Sequence, residues 1–245
     1  MGELDGRVAI VTGSSSGIGE AIARRLAELG CRVVVNSATS VEAGEAVAES
    51  LPTDAVYVQA DISDQAQGRA MITRTLERFS RLDILVNNAG WTRLVDHADL
   101  DALTDEIFLR TFETNVFGTW WLTKAAMPFL RQSPDPNVVM ITSVAGVRPV
   151  GSSIAYAMSK AALNHLVALL AKSCGPVRVN AVAPGLVATP LTAELHEQHA
   201  ATAATVPLHR SARPDDISEA VIGVLRNSYT TGQVIVVDGG SSLVW

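Results

Sequence analysis

The sequence has little cysteine, few aromatic residues and little charge. Its 245 residues include two cysteines, Cys31 and Cys174. These form neither a disulfide framework nor a metal-ligand spacing, so we expect buried thiols in a reducing compartment and no metal site. Charged residues make up 18% of the chain, below the roughly one quarter usual in globular proteins, which favours a compact, oligomeric protein. The net charge of −6 includes no run of like charges, which predicts no nucleic-acid partner and no basic membrane patch.

Long apolar runs are also absent. No segment approaches the about 18 uninterrupted apolar residues of an ordinary transmembrane helix. The first ten residues, MGELDGRVAI, include acidic residues and lack the apolar core of a signal peptide. We therefore expect a cytoplasmic protein without a membrane partner.

Short apolar runs recur along the chain instead. They are rich in valine and isoleucine and nearly unbroken, which is typical of strands buried on both faces of a parallel sheet. The predicted strands are Val8–Thr12, Arg32–Asn36, Ala55–Gln59, Ile84–Asn87, Val138–Thr142, Val177–Val182 and Val234–Val237.

Helical patterns separate these strands. In the first, Ile18, Ile22, Leu26 and Leu29 recur at helical spacing before Gly30, a residue typical of helix ends. Further patterns cover residues 41–50, 64–79, 101–131, 153–173 and 215–227. This alternation predicts an α/β fold: a single Rossmann-like domain, residues 1–245, with a doubly wound parallel seven-stranded sheet and helices on both faces. Ligands of such sheets bind at the carboxyl ends of the strands.

A glycine-rich turn follows the first predicted strand. In the segment TGSSSGIG, residues 12–19, three glycines allow the backbone to approach a pyrophosphate, and the amino end of the next helix would stabilise its charge. The spacing differs from G-x-G-x-x-G and from a P-loop. An ordinary tight turn is the alternative, but its place between a strand and an amphipathic helix favours dinucleotide binding.

Polar residues follow the third and fourth predicted strands. Asp61, which precedes Ile62, could accept a hydrogen bond from an adenine amino group, and the Asn87 amide could bridge neighbouring strands. Asn88, Ala89 and Gly90 come next, and the last two leave room for a ribose. Each residue also fits an ordinary turn or cap role.

A tyrosine and a lysine share one helix face in the segment SIAYAMSKAAL. Tyr156 and Lys160 stand four residues apart, one helical turn. Alone, such a pair is commonly a half-buried phenol beside a solvated amine. Where water is excluded, a lysine about 4 Å away would lower the tyrosine pKa, ordinarily about 10, by roughly three units. Tyr156 would then be an effective acid or base near neutral pH.

Together, these motifs resemble the compact branch of the short-chain dehydrogenase/reductase family. The resemblance rests on TGSSSGIG, NNAG, Asn115, Ser143 with Tyr156-x-x-x-Lys160, and Pro184-Gly185 with Thr189, in family order over residues 7–240. It implies an NAD(P)-dependent oxidoreductase that transfers a hydride between its cofactor and a small-molecule carbonyl or secondary alcohol. The candidates are a 3-oxoacyl reductase and a sugar, polyol or small-alcohol dehydrogenase.

The resemblance also implies residue roles. Tyr156 is the acid/base, Lys160 lowers its pKa and binds ribose, and Ser143 polarises the carbonyl. Asn115 kinks its helix and positions a water near Lys160. The implied catalytic residues are Asn115, Ser143, Tyr156 and Lys160. The implied cofactor-binding residues are Gly13, Ser15, Ser16, Gly17, Ile18, Gly19, Asn36, Ser37, Asp61, Ile62, Asn88, Ala89, Gly90, Tyr156, Lys160, Pro184, Gly185, Val187 and Thr189.

Cofactor choice depends on the end of the second strand. NAD-specific folds usually place an acidic residue there, whereas this chain reads Asn36-Ser37-Ala38-Thr39-Ser40. Small polar donors could surround a 2′-phosphate, so we expect NADP(H). NAD(H) stays possible, because the arginine of many NADP enzymes is missing.

The substrate side carries fewer signals. Residues about 186–213 are the predicted substrate loop, and the candidate pocket residues are Trp91, Val144, Arg148 and Val150. Trp120 and Trp121 are adjacent and cannot share a helix face. With the resemblance, they predict a homotetramer or homodimer formed through the fourth and fifth long helices.

The alternative to an enzyme is a catalytically silent dinucleotide-binding sensor or assembly protein on the same fold. Such a protein would have no chemical need for the four implied catalytic residues.

Overall fold

The structure, a computed structural model, describes residues 2–244. Met1 and Trp245, the ends of the predicted domain, lie outside the described residues. Within that range the strands form one parallel sheet in the order β3-β2-β1-β4-β5-β6-β7. The strands are β1 Val8–Val11, β2 Arg32–Ser37, β3 Ala55–Gln59, β4 Ile84–Asn87, β5 Asn137–Ile141, β6 Arg178–Pro184 and β7 Val234–Val237.

Helices connect these strands. They are α1 Gly17–Glu28, α2 Val41–Ser50, α3 Gln65–Phe79, α4 Asp105–Phe112, α5 Thr119–Leu130, α6 Ile154–Ser173, α7 His196–Thr205 and α8 Pro214–Arg226. Residues Glu113–Gly118 form a π-helical turn between α4 and α5, and Pro190–Thr192 form a 3₁₀ turn.

The side chains of the central strand β1 point alternately into two hydrophobic cores, one on each face of the sheet. Neighbouring side chains of a strand point to opposite faces, and every residue of β1 is fully buried. Val8 and Ile10 join the core under α3, α5 and α6, whereas Ala9 and Val11 join the core under α1, α2 and α8. This burial on both faces explains the unbroken apolar runs and confirms the predicted doubly wound sheet.

The strand order reverses between β1 and β4. β1 pairs with β2 on one side and with β4 on the other, so connections leave the sheet in opposite directions there. A crevice opens outside the carboxyl ends of strands at such a point. The segments after β1, β4, β5 and β6 meet at this crevice.

One predicted boundary was wrong, and the segment of the predicted substrate loop contains an additional helix. The single helix expected over 101–131 begins at Asp105, because Thr104 caps it, and it is interrupted by the π-helical turn. The loop expected over 186–213 contains α7, whose alanine-rich sequence is a good helix former. The helix was missed because it has no apolar stripe.

The apolar helix α6 is long enough, by length and composition alone, to cross a membrane. In the structure it packs against β6 and contains Lys160, which is 3% exposed. Its apolar composition therefore fits a core helix, one face of which lies on the sheet.

Candidate active site

The glycine loop after β1 packs directly against the segment after β4. Gly13 has φ +62°, in the left-handed region, and a Cβ there would lie 2.9 Å from the Ala89 Cα. A Cβ at Gly19 would lie 2.3 Å from the Gly13 carbonyl oxygen. A side chain at either position would clash with the backbone and force the loop to shift.

The amino end of α1 opens at this loop. Its N-cap residue, Ser16, makes no side-chain capping bond. The first backbone N–H groups of α1 are thus left without that cap, and they suit a phosphate. The bare glycine backbone and this helix end together fit the pyrophosphate of a dinucleotide.

Asn88 ties the loop in place. Its Nδ2 donates to the carbonyls of Thr12, at 2.8 Å, and Gly13, at 3.0 Å. The Thr12 hydroxyl accepts from the backbone N–H groups of Asn88 and Ala89. The bridging role expected for Asn87 therefore belongs to Asn88, and Asn87 instead donates to the Thr123 hydroxyl at 3.0 Å.

The hydrogen bonds at the end of β2 contradict the expectation that the side chains of Asn36 and Ser37 are free donors. Asn36 Nδ2 donates to the carbonyls of Val58 and Ala60, each at 3.0 Å, and its Oδ1 accepts from Gly13 N. The Ser37 hydroxyl bonds to the Tyr57 hydroxyl at 2.8 Å and to a backbone carbonyl. Both side chains are buried, and both already form hydrogen bonds with groups of the protein. They therefore have structural roles.

Asp61 and Ile62 lie at the end of β3. One carboxylate oxygen, Oδ1, accepts from the N–H and hydroxyl of Ser63, at 2.9 and 2.7 Å. Ile62 is buried, and its carbonyl would lie 2.8 Å from a Cβ at Gly118 in the π-helical turn. Oδ2 of Asp61 makes no hydrogen bond among the described residues, so the carboxylate keeps an acceptor for a base.

Three predicted catalytic side chains meet in the crevice. The Ser143 hydroxyl interacts with the phenol of Tyr156. Lys160 Nζ lies over the Tyr156 ring, 5.5 Å from its centroid, and donates to the Ile141 carbonyl at 2.9 Å. A Cβ at Gly90 would lie 3.5 Å from Lys160 Nζ, which joins this group to the end of β4.

Asn115 locks the same region together from the π-helical turn. Its Oδ1 accepts from Trp91 N at 2.7 Å, and its Nδ2 donates to the Trp91 carbonyl and the Ser159 hydroxyl, each at 3.0 Å. Ser159 in turn donates to the Tyr156 carbonyl. The π-helical turn is the local distortion expected around Asn115, and such turns are common at functional sites. The water attributed to Asn115 stays a prediction.

Burial controls both titrating groups. It raises the pKa of the Tyr156 phenol, and the interaction with Ser143 opposes this rise only in part. It lowers the pKa of Lys160 to about 8. The lowered tyrosine pKa expected from the lysine is therefore not found in the chain by itself, because desolvation of the buried phenol outweighs the interaction that lowers its pKa.

The segment after β6 returns to the glycine loop. A Cβ at Gly17 would lie 3.4 Å from the Thr189 side chain. Val187 pairs with Ala212 in an isolated bridge, which joins the two limbs of the predicted substrate loop. Thr189 thus faces the place where the first turn of α1 begins.

The predicted pocket residues differ in how exposed they are. Val144 is buried, Trp91 and Val150 are half-buried, and Arg148 is exposed. The Arg110 guanidinium lies 4.5 Å from the Trp91 ring centroid, a cation–π geometry that fixes the indole.

The wall of the crevice is closed by contacts that sequence reasoning missed. The Thr92 and Ser152 hydroxyls bond to each other, and Val95 N donates to the Ser152 carbonyl at 2.8 Å. Thr12 and Ser159 were missed as well. Their only signal was position, since Thr12 begins the glycine segment and Ser159 precedes Lys160.

Comparisons with known proteins identify the family of this chain. The family model described as Enoyl-(Acyl carrier protein) reductase matches residues 13–242. The chain is 52% identical, over 97% of its length and 96% of the relative, to a protein described as ketoacyl reductase 2 of the granaticin polyketide synthase of Streptomyces violaceoruber. It is 32% identical to the 3-oxoacyl-(acyl-carrier-protein) reductase of Thermotoga maritima, over 97% and 98% of the two chains.

A solved structure has the same fold. A protein from Burkholderia xenovorans, described as a short-chain dehydrogenase/reductase, superposes with a TM-score of 0.90 at 34% identity, covering 97% of this chain and 98% of that one. The chain belongs to the short-chain dehydrogenase/reductase family and is an NAD(P)-dependent oxidoreductase of carbonyl and alcohol groups.

Proposed function

We propose that this enzyme reduces the ketone of a 3-oxoacyl thioester, with NADPH as its preferred cofactor. The observation that carries the proposal is the meeting of Ser143, Tyr156 and Lys160 beside a glycine loop shaped for a dinucleotide. Two relatives described as ketoacyl and 3-oxoacyl reductases support the substrate class. We also propose that the whole chain acts as one domain and that residues 186–213 form the substrate loop.

The proposed reaction needs a proton donor at the carbonyl oxygen. The glycine loop, Asn88 to Gly90 and Thr189 would hold a nicotinamide cofactor, which would supply a hydride to the carbonyl carbon. Tyr156 gives its phenolic proton to the oxygen, so the carbonyl becomes a secondary alcohol, and Ser143 donates a hydrogen bond that favours charge on that oxygen. Burial raises the pKa of Tyr156, and a phenol is protonated at neutral pH even at its ordinary pKa of about 10, so Tyr156 holds the proton that the reduction requires.

Lys160 and Asn115 have supporting roles in this proposal. Lys160 would bind the nicotinamide ribose and return a proton to Tyr156, since a group with a pKa of about 8 exchanges protons readily near neutral pH. Asn115 would hold α6 at Ser159, between the tyrosine and the lysine. The remaining cofactor contacts would come from the glycine loop, Asp61, Asn88 to Gly90, and Thr189.

NADP(H) preference rests on the segment after β2. No acidic residue stands there to repel a 2′-phosphate, and the exposed donors are Thr39 and Ser40, since Asn36 and Ser37 are engaged elsewhere. Because no arginine is present there, we expect the preference for NADP(H) over NAD(H) to be modest. We expect kcat/KM with NADPH to exceed that with NADH by roughly ten- to a hundredfold, about 1.4 to 3 kcal/mol. A higher kcat/KM with NADH would contradict this.

One experiment tests the substrate class. Cofactor oxidation is followed with a 3-oxoacyl thioester, a sugar ketone and a small aliphatic ketone at equal concentrations. The proposal expects the highest kcat/KM with the thioester. A higher value for either other ketone would replace the substrate class, and no oxidation with any carbonyl compound would favour the silent dinucleotide-binding alternative.

We also propose a homo-oligomer built on α4, the π-helical turn, α5 and α6. Large apolar side chains remain exposed along these elements: Leu109, Phe117, Trp120, Met158 and Leu169. Trp121 stacks on Phe117 at 5.9 Å. Light scattering should give a dimer or tetramer mass, which Trp120→Glu reduces and Leu94→Glu, an exposed change outside these elements, does not. A monomer mass for the unmodified protein would contradict the proposal.

A further inference from the structure

Helix α7 lies within the predicted substrate loop and has no buried apolar residue. None of the residues His196–Thr205 is buried, so burial of apolar area contributes little to holding it. The flanking segments are fixed: Val206 is 1% exposed, and Ala212 bonds to the backbone of Leu186 and Ala188. Polar contacts can therefore contribute much of what holds α7 against the rest of the loop.

His199 supplies that polar attachment. Its Nδ1 lies 2.8 Å from the Ser211 hydroxyl, on the returning limb of the loop. Its Nε2 lies 3.2 Å from the Thr192 carbonyl and 3.3 Å from the Thr192 hydroxyl, on the outgoing limb. One imidazole thus joins α7 to both limbs.

The partners determine the tautomer. The Thr192 carbonyl can only accept, and the Thr192 hydroxyl spends its hydrogen on the Val187 carbonyl at 2.6 Å. Nε2 must therefore carry the hydrogen, and in the neutral ring Nδ1 accepts from the Ser211 hydroxyl. Both ring nitrogens have partners, so the half-buried imidazole is a satisfied link.

The link extends toward the reaction centre through Thr192. The Thr192 hydroxyl also accepts from Thr189 N at 3.1 Å. Thr189 is the residue that faces Gly17 across the crevice. Movement of α7 is thereby coupled to the turn beside the cofactor site, although His199 itself touches none of the groups assigned to the reaction.

We propose that His199 is a positioning residue that latches α7 over the substrate. The inference rests on the proposed function only in placing the substrate beneath α7. A lid that is closed in most molecules binds substrate at its full affinity, whereas a lid that is mostly open loses apparent affinity in proportion to the closed fraction. Once substrate is bound beneath a closed lid, the reacting atoms are unchanged, so the latch affects KM and not kcat.

The test compares three variants. His199→Ala removes both bonds, and His199→Gln restores one donor and one acceptor. The matched control is His196→Ala, since His196 is an exposed histidine at the start of the same helix. Amide hydrogen exchange of residues 196–205 is measured on the cofactor-free chain. KM and kcat are measured with whichever carbonyl substrate the wild type reduces.

We expect His199→Ala to speed exchange in α7 by at least roughly tenfold and to raise KM about tenfold, which corresponds to about 1.4 kcal/mol. We expect kcat to stay within about threefold, His199→Gln to recover most of both effects, and His196→Ala to behave as wild type.

Several results would overturn the latch. They are unchanged exchange in His199→Ala, an equal change in His196→Ala, no recovery in His199→Gln, or faster exchange with an unchanged KM. Failure of the proposed substrate class looks different: the wild type then does not reduce 3-oxoacyl thioesters, while the exchange measurement still decides the latch.

Discussion

The two sides of the crevice are held by different forces. On the cofactor side, the glycine loop is fixed by Asn88 and Thr12, with backbone groups packed too closely to admit a Cβ. On the proposed substrate side, α7 has no buried residue, and the His199 imidazole joins it to both limbs of the loop. Close packing gives a rigid surface, whereas a few exposed hydrogen bonds give an element that opens at low cost.

The difference matches what each side has to do. A dinucleotide presents the same phosphates and riboses in every turnover, so a rigid site is an advantage. A substrate must enter and leave, and a lid that opens locally permits this. Tyr156 and Lys160 lie on the rigid side, since α6 is anchored in the core.

The largest effect should come from the reacting group between the two sides. Tyr156→Phe removes the proposed proton donor and should lower kcat by roughly 10²- to 10⁴-fold, with the cofactor dissociation constant changed less than about twofold. Steady-state kinetics and a fluorescence titration of cofactor measure both. Tyr229→Phe, at a fully exposed tyrosine, is the control. Retention of most wild-type activity by Tyr156→Phe would contradict the proton-donor role.

A second prediction concerns the free energy that burial of the Lys160 ammonium costs the folded chain. The folded pKa of Lys160, about 8, lies below its ordinary value of 10.5. Below pH 8 both folded and unfolded chains hold the proton, and the folded chain carries the full cost of a buried charge. Above pH 8 the folded chain releases the proton first, so the cost declines and is gone above about pH 10.5.

Lys160→Met should therefore be more stable than the wild type at pH 7, by at most about 3 kcal/mol, and this advantage should shrink by pH 9.5. The lost bond to the Ile141 carbonyl reduces the gain. Urea unfolding at both pH values measures it, with Lys172→Met, an exposed lysine of the same helix, as control. A stability difference that stays constant between the two pH values would contradict the assigned pKa.

A third prediction compares the two sides directly. Asn88→Ala removes two partly buried hydrogen bonds and should weaken cofactor binding about tenfold and lower the free energy of unfolding by about 1–3 kcal/mol. Gln198→Ala, at an exposed position of α7, should change neither quantity. Cofactor titration and urea unfolding check both. Equal effects of the two substitutions would abolish the contrast between the sides.

The smallest effect should come from the ion pair that ends the substrate loop. Arg210 bonds to both carboxylate oxygens of Asp216, at 2.6 and 2.7 Å, and lowers the Asp216 pKa from 3.8 to about 2. The stabilisation is complete above about pH 3.8 and is lost as pH falls through about 2.

Because both side chains are partly exposed, Asp216→Asn should cost at most about 1 kcal/mol at pH 7 and less at pH 3. Urea midpoints at both pH values, with Asp215→Asn as the neighbouring control, measure this. A larger cost at pH 3 than at pH 7 would contradict the sign.

The sequence by itself determined the sheet and the identity of the candidate site residues. All seven predicted strands are present with small boundary differences. Central strands such as β1 are buried on both faces and therefore form unbroken apolar runs, and in the partly exposed edge strand β7 the valine and isoleucine run favours a strand by itself. The glycine segment and the spacing of Tyr156 and Lys160 are likewise local properties, since backbone freedom and helical period act within a few residues.

Only the tertiary structure decided which side chains are free to act. Asn36 and Ser37 read as free donors, but strand β3 engages them, and Asn88 rather than Asn87 bridges to β1. The raised pKa of Tyr156 likewise depends on its burial. These outcomes depend on partners brought together from distant parts of the chain, because hydrogen bonding and desolvation act through space and leave no periodic trace in the sequence.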